Sequence, residues 1–469
     1  MSPRACFLGL PLACLLAACA VGPDYERPAT PSAAAYPEAE VGAGEIAAAW
    51  WRGFAEPDLD RLVDQALAAN ADLRVAVARV EEAAAQFADT AGAGLPAVDA
   101  TAGDSRYKVS TGAYVPVGGT AAGRSRRTLR GGLSTSFELD FWGKVRRAEE
   151  GARAQLLASE HAAAQVRLTL VAAVVRAYAS LRTGEVQVDA AGVVLAAREE
   201  ELALILRRQA AGSAQAAEVA AAEVNRAAAV AALSDARRAR AQAEHALGFL
   251  TGQPALTLPA AARPVALPPP PAAGLPSDLL ARRPDVQAAE QALVAANARI
   301  GFVKAARFPT FTLTGAIGSE SKVFSGLLDA DTSTSALGVD LRFPLLDYGR
   351  GAARVDAAVA AQHQAVALYE KAALNALREV RDALADVRET AAAAAAAERR
   401  IQAATEAFRV AEARARVGQA GPLELPAARR ALAESRLAVA RVRLDRLGAQ
   451  VDLVKALGGA RPDVAPAVR

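Results

Sequence analysis

The chain has 469 residues, of which 53% are hydrophobic, 5% aromatic and 22% charged, with a net charge of +3. Near-balanced charge removes the electrostatic case for a nucleic-acid surface. An alanine-rich, aromatic-poor composition points instead to long helices packed closely through small side chains.

The first residues carry a compartment signal. Arg4 is followed by an apolar stretch, residues 5–18, too short to span a bilayer as a helix and suited to a signal peptide. Leu16-Ala17-Ala18-Cys19 matches a lipobox, so residues 1–18 are expected to leave and Cys19 to carry lipid. Ala20 stands where inner-membrane lipoproteins commonly place aspartate, which favours outer-membrane sorting by analogy. Cys6 and Cys14 leave with the signal, so the mature chain is expected to form no disulfide. No later run of 18 apolar residues stands out, and no helix is expected to cross a membrane.

Residues 19–58 read as a lipidated linker. From Leu59 the spacing of Leu62, Val63, Ala66 and Leu67 predicts a helix to about Asp89. After Pro96 the period becomes two. A hairpin over about 97–141 sets Leu129, Leu133, Phe137 and Leu139 on one face. Arg130, Ser134, Glu138 and Asp140 lie on the other. Its tip, about 104–128, is basic (Arg106, Lys108, Arg124, Arg126, Arg127) and suits outer-leaflet lipid phosphates. A helix over 144–211, about 100 Å long at 1.5 Å per residue, turns at Gly212 and returns over 215–250. Residues 253–276 form a Pro-rich connector.

The pattern then repeats. Asp72 and Pro96 recur as Asp285 and Pro309, at an offset of 213; Gly143, Gly212, Glu218 and Gly252 recur as Gly349, Gly418, Glu424 and Gly458, at 206. The copies span 59–252 and 277–458, with a tail at 459–469. The second predicts a helix from about Ser277 with a break or late start at Pro284, a hairpin over 309–346, a long helix over 350–417 and a return helix over 423–457. Asp340 and Arg342 join Glu138 and Asp140 as lumen candidates.

Two hairpins of about ten-residue strands suit a membrane, but four strands cannot close a barrel. Closure needs further copies: two would give eight strands, three would give twelve with a lumen. The polar inner face favours three.

At this point the chain resembles TolC-like outer-membrane efflux proteins of the lipoprotein, NodT-type subgroup. The resemblance rests on Cys19-Ala20-Val21-Gly22-Pro23-Asp24-Tyr25 and on Phe141-Trp142-Gly143-Lys144 with Asp347-Tyr348-Gly349-Arg350. Two further motifs carry it, Arg208…Gly212…Glu218 and Arg414…Gly418…Glu424. It implies a mainly α chain with a transmembrane β part. Three chains would form a twelve-stranded β-barrel, continued by an α-helical barrel with a mixed equatorial domain. It also implies a periplasmic adaptor, an inner-membrane pump of the resistance–nodulation–division type, and small-molecule efflux. A type I protein-secretion duct and a periplasmic spacer lipoprotein are the alternatives.

The turns would form the closing tip and adaptor contact, through Gly212, Glu218, Arg208, Gly418, Gly421, Leu423, Glu424, Arg414 and Arg416. Relatives often carry an aspartate in the second turn. Here Gln419-Ala420-Gly421-Pro422-Leu423 holds no acid, so a ring of Leu423 side chains is the substitute gate. Glu218 and Glu424 also suit helix N-termini as plain caps, and the arginines suit helix C-termini. His161, His245 and His363 are scattered, which gives no support for catalysis, a metal or a cofactor beyond the lipid on Cys19.

Overall fold

The computed structural model describes residues 20–29, 46–108, 125–261, 263–271 and 276–460. Cys19 and the signal segment lie outside these residues, as does most of the basic hairpin tip. The elements are α1 (Pro57–Ala69), α2 (Ala71–Gly92), β1 (Ala97–Lys108), β2 (Ser125–Leu139), α3 (Lys144–Ala210), α4 (Ala216–Leu250), α5 (Pro276–Arg282), α6 (Pro284–Ala305), β3 (Thr310–Ser321), β4 (Ser333–Arg342), α7 (Arg350–Arg416) and α8 (Glu424–Ala456). The chain forms two compact units.

The first unit holds residues 20–28, 80–158 and 289–369, and with them one antiparallel sheet in the order β1-β2-β3-β4. Both hairpins reach further toward their tips than the residue pattern indicated. β1 runs to Lys108 and β2 starts at Ser125, because main-chain pairing continues through the charged residues. At the other end β4 stops at Arg342. Pro344 has no N–H to donate, which accounts for the early stop. Beside the sheet, Ile300 and Val303 of α6 pack on Ala358 of α7.

The second unit holds residues 46–79, 159–288 and 370–460 of the described chain. Its core joins Trp51, Phe54, Leu59, Leu62, Val63 and Ala66 to Leu170, Val174, Val175, Tyr178 and Leu181 of α3, with Leu247 of α4 and Leu447 and Val451 of α8. Each fully buried aliphatic side chain contributes about 1.5–3 kcal/mol. α3 does contain an 18-residue window apolar enough to cross a membrane. The apolar run Leu168–Leu181 supplies this core, so it packs on protein.

One predicted helix is two. The segment expected to run from Leu59 to Asp89 breaks at Asn70, whose backbone is extended. Its side chain accepts from Leu73 N at 3.1 Å and donates to the Leu250 carbonyl at 3.1 Å. An asparagine that satisfies two helix ends at once is worth more there than in a continuous helix. In the second copy Arg283 occupies the same position between α5 and α6.

Candidate functional site

The sheet separates two chemistries by parity. Leu133, Leu313, Ile317, Leu337, Val339 and Leu341 form one apolar face, and all of them are solvent-exposed in the single chain. Six exposed large apolar side chains on one sheet face call for an apolar environment. The opposite face carries Arg130, Ser134, Ser136, Thr312, Thr314 and Asp340, with Arg130 Nε on Glu320 Oε2 at 3.0 Å.

The lumen candidates divide. Asp340 lies in β4 and accepts from Thr314 Oγ1 at 3.4 Å; Arg342 closes the same strand. Glu138 shares the face but is neutralised by Lys144 Nζ at 2.9 Å. Asp140 is not a strand residue. It sits past the end of β2 and accepts Val145 N at 3.1 Å and Arg146 N at 3.0 Å, capping α3. A carboxylate next to a helix start is drawn to its free N–H groups.

Aromatic residues gather where the strands meet the helices. Trp142 Nε1 donates to the Pro309 carbonyl at 2.7 Å, and its ring stacks on Phe308 at 4.8 Å. Phe141 meets Phe311 edge-on at 5.2 Å. Asp347 accepts from Gly349 N and Gly351 N at the start of α7. These N–H groups, Gly351 first, hold its carboxyl below the usual carboxylate range.

The residues just after Cys19 lie along the same unit. Val21 N donates to Trp142 O at 3.0 Å. Gly22 has φ +120° and approaches Gly301 so closely that an added Cβ would lie 2.5 Å from its Cα. Asp24 pairs with the buried Arg147 at 2.7 Å, and Asn297 donates to Pro23 O at 3.0 Å. Glu290 accepts from Tyr25 Oη at 3.2 Å and Arg27 Nε at 2.8 Å. Burial, then the Glu290 charge, pushes the Tyr25 hydroxyl up, so it stays a donor.

In the second unit the two turns are built alike. Gly212 and Gly418 have φ +73° and +70°, which an L side chain resists. Ser213 N reaches back to Arg208 O at 2.8 Å, and Gln419 N to Arg414 O at 2.9 Å, each closing a helix in a Schellman turn. Arg208 Nη2 donates to Ser213 O, and Arg414 Nη2 to Gln419 O. Glu218 accepts from Gln215 N, and Glu424 from Gly421 N. The ion pairs differ in closeness: Arg414–Glu424 spans 2.6 Å and Arg208–Glu218 spans 3.5 Å. Leu423 precedes α8 and is half-buried; its counterpart is Ala217. Arg416 stands apart from the turn, paired with Glu412 on its own helix at 3.1 Å. A second tier ties α8 to α3 through Arg429–Glu200 at 3.0 Å and Arg430–Glu201 at 3.3 Å.

A family model described as "Outer membrane efflux protein" matches residues 62–253 and again 275–459. The chain belongs to the outer membrane efflux protein family. The two matched segments follow the duplication. This efflux protein is 33% identical over 470 residues to the solvent efflux pump outer membrane protein SrpC of Pseudomonas putida, covering 97% of this chain and 98% of that one. It is 32% identical over 386 residues to the cation efflux system protein CusC of Escherichia coli K12, covering 79% and 81%. Among solved structures, the outer-membrane channel OprN aligns with a TM-score of 0.84 at 30% identity, covering 94% and 99%. The open-state MtrE channel of Neisseria gonorrhoeae aligns at 0.81 and 31%, covering 94% and 98%. The protein is thus an outer-membrane channel, the exit duct of an efflux pump.

Sequence reading found both turns, their arginines and glutamates, and the apolar face. It placed the second copy's break at Pro284 but missed the post-Cys19 strap, the matching break at Asn70 and the bonds that Asn70 and Arg283 make to the return helices. A signal for the junction was present, since both residues lie two before the recurring aspartates, Asp72 and Asp285.

Proposed function

We propose that three copies close a twelve-stranded barrel from their four-stranded sheets and conduct small toxic molecules passively from periplasm to exterior. The exposed apolar sheet face carries this reading. An open sheet in lipid leaves edge N–H and C=O groups unpaired at several kcal/mol each, so β1 and β4 require partners. The chain would carry lipid on Cys19. Ala20, the residue that follows it, lies against Gly143, and Val21 is bonded to Trp142 of the aromatic cluster at the strand ends. Such rings favour the interface between bilayer and water.

The paired turns would form the constriction, with Leu423 as the gate residue, and meet a periplasmic adaptor. That adaptor would link the duct to an inner-membrane pump of the resistance–nodulation–division type, which supplies the energy. The relatives named for solvents and for cations differ in cargo, which fits a duct whose selectivity lies in its pump.

The test is conductance of the purified protein in planar bilayers, together with drug and solvent sensitivity of a deletion strain. Stable single-channel steps and hypersensitivity restored by the intact gene are expected. A protein that stays soluble without detergent after Cys19→Ser, and conducts nothing, overturns the reading.

A further inference from the structure

The register sorts the apolar sheet face into rows by height. From the helix end of the strands these rows run from Leu139–Phe311–Leu341 through Leu133–Ile317 to Leu129–Ser321. Ala100 lies opposite Leu133 and Asp104 opposite Leu129, so β1 joins the same rows. Ten residues separate Leu139 from Leu129, about 33 Å of strand at 3.3 Å per residue. A tilt of about 40° leaves about 25 Å of height, which is the height of the apolar band on a membrane barrel. The next rows outward are Arg106–Arg127 and Lys108–Ser125. Three cations of the first hairpin therefore share the apolar side of the sheet and stand just beyond the outer edge of its band.

These cations are under-neutralised. Arg106 and Arg127 are direct cross-strand partners, an arrangement that like charges disfavour. Asp104 takes Arg127 with both oxygens, at 3.0 Å to Nε and 2.9 Å to Nη2. Among the described residues, Arg106 and Lys108 make no ion pair. The acids of the second tip, Asp329 and Asp331, lead into β4, which β2 and β3 separate from β1.

The second hairpin's tip folds over the same rim. Ser319 and Ser321 continue the row direction of Ile317 on the apolar side. Thr332 Oγ1 bridges Ser319 Oγ at 2.8 Å and the Gly326 carbonyl at 2.9 Å. A Cβ added to Gly326 would lie 2.6 Å from Ser321 Oγ. The single helical turn Phe324–Leu328 thus lies on that side, where Leu129 is buried. Its own apolar side chains stay uncovered, Phe324 at 80% exposure and Leu328 at 97%.

Under-neutralised cations beside exposed apolar groups, at the upper edge of an apolar face, fit one amphipathic partner. We propose that Arg106, Lys108 and Arg127 bind the phosphates of an outer-leaflet glycolipid of the lipid A class, whose acyl chains lie along the apolar face and against Phe324 and Leu328. Arginine meets phosphate through its fork of donors, and lysine as a point charge. The inference rests on the membrane barrel proposed above and adds a lipid that grips its outer rim.

The test titrates the purified full-length protein in detergent with bisphosphorylated lipid A, followed by native mass spectrometry. One cation near an anionic lipid surface is worth about a fivefold change in affinity, so Arg106→Gln should weaken binding about fivefold and Arg106→Gln/Lys108→Gln about 25-fold. Arg130→Gln removes a cation from the opposite face at nearly the same height and should leave binding unchanged. Phe324→Ser/Leu328→Ser should weaken lipid A with the cations intact; unchanged binding removes the turn from the site. Dephosphorylated lipid A should bind the wild type weakly, and excess inorganic phosphate should not displace lipid A. Equal binding of the dephosphorylated lipid, or equal weakening by Arg130→Gln, overturns the site. Displacement by inorganic phosphate assigns the cations to a free anion and overturns the lipid. Planar-bilayer conductance is recorded on the same samples. A double variant that forms channels and still binds lipid A as the wild type does overturns the site alone, whereas a wild-type protein that forms none overturns the barrel and the site together.

Discussion

Arg283 Nη1 donates to the Ala456 carbonyl at 2.9 Å, and Asn70 makes the same bond to Leu250, the counterpart of Ala456 in the first copy. One structural task, tying a helix break to the end of a return helix, is done by a charged residue in one copy and a neutral one in the other. The guanidinium is buried, and its charge is held by Asp285 and by Glu379 at 2.8 Å. The position matching Glu379 is Ala173, so the neutral copy lacks that acid. Arg283→Asn should lower stability by about 2–3 kcal/mol, below the range for fully buried pairs because both carboxylates reach solvent. Adding Glu379→Ala imports the first copy's arrangement and should recover roughly half of that loss, since an unpaired acid is removed. Thermal unfolding followed by circular dichroism decides it. A double variant weaker than the single one contradicts the interchangeability of the two junctions.

The duplicated turn makes a second contrast. The exposed pair Arg414–Glu424 should couple by only about 0.2–1 kcal/mol in a double-mutant cycle. Arg414→Ala also removes the bond to Gln419 O, so amide exchange at residues 418–424 should quicken while the melting temperature holds. Arg208→Ala should do less, because its ion pair is longer. Equal acceleration at both turns would show that the shorter pair adds nothing.

Leu423 and Ala217 occupy matching positions, and only the leucine is large enough to narrow the constriction proposed for the turns. Leu423→Ser should raise ion leakage in planar bilayers, whereas Ala217→Ser should leave it unchanged. Unaltered conductance in the first variant removes Leu423 as the gate.

These contrasts show what the residues made legible. Helical and strand periods, both glycine turns and the duplication were readable because each depends on local spacing. The break at Asn70 was not, because its cause lies 180 residues away, at the Leu250 carbonyl. Asp140 looked like a lumen residue because the alternation runs smoothly through it. Only its bonds to Val145 N and Arg146 N reveal that the strand has already ended. The strap from Val21 to Arg27 read as linker because it has no period of its own and binds through scattered contacts with Glu290, Asn297 and Arg147.

Asp347 gives the protein an acid-sensitive joint beyond the end of β4. Its carboxyl is held below the ordinary range by the N–H groups of Gly351 and Gly349. A depressed folded-state pKa stabilises the protein above the unfolded value of about 4 and loses that contribution as pH falls through the folded value. Wild-type stability should therefore decline below about pH 4 more steeply than that of Asp347→Asn, which keeps an acceptor but no titrating charge. Parallel melting curves for the two proteins from neutral to acid pH would exclude the joint.

The two faces of the sheet give the sharpest test of membrane placement, because adjacent residues of β3 share one depth and differ only in direction. Ile317 lies on the apolar face opposite Leu133, and Ala316 on the polar face opposite Ser134. An arginine on the lipid side of a barrel costs about 2–4 kcal/mol near the midplane, falling toward the interfaces. Ile317→Arg should therefore cut the amount of folded, heat-modifiable protein in the outer membrane. Ala316→Arg should leave that amount unchanged and reduce conductance to cations, because its charge enters the water-filled lumen. The comparison is internal, since both variants add the same side chain one residue apart, so expression and net charge are matched. Equal loss of folded protein in both would mean that neither face meets lipid. The reverse order would mean that the apolar face lies inside the assembly and the polar face outside it.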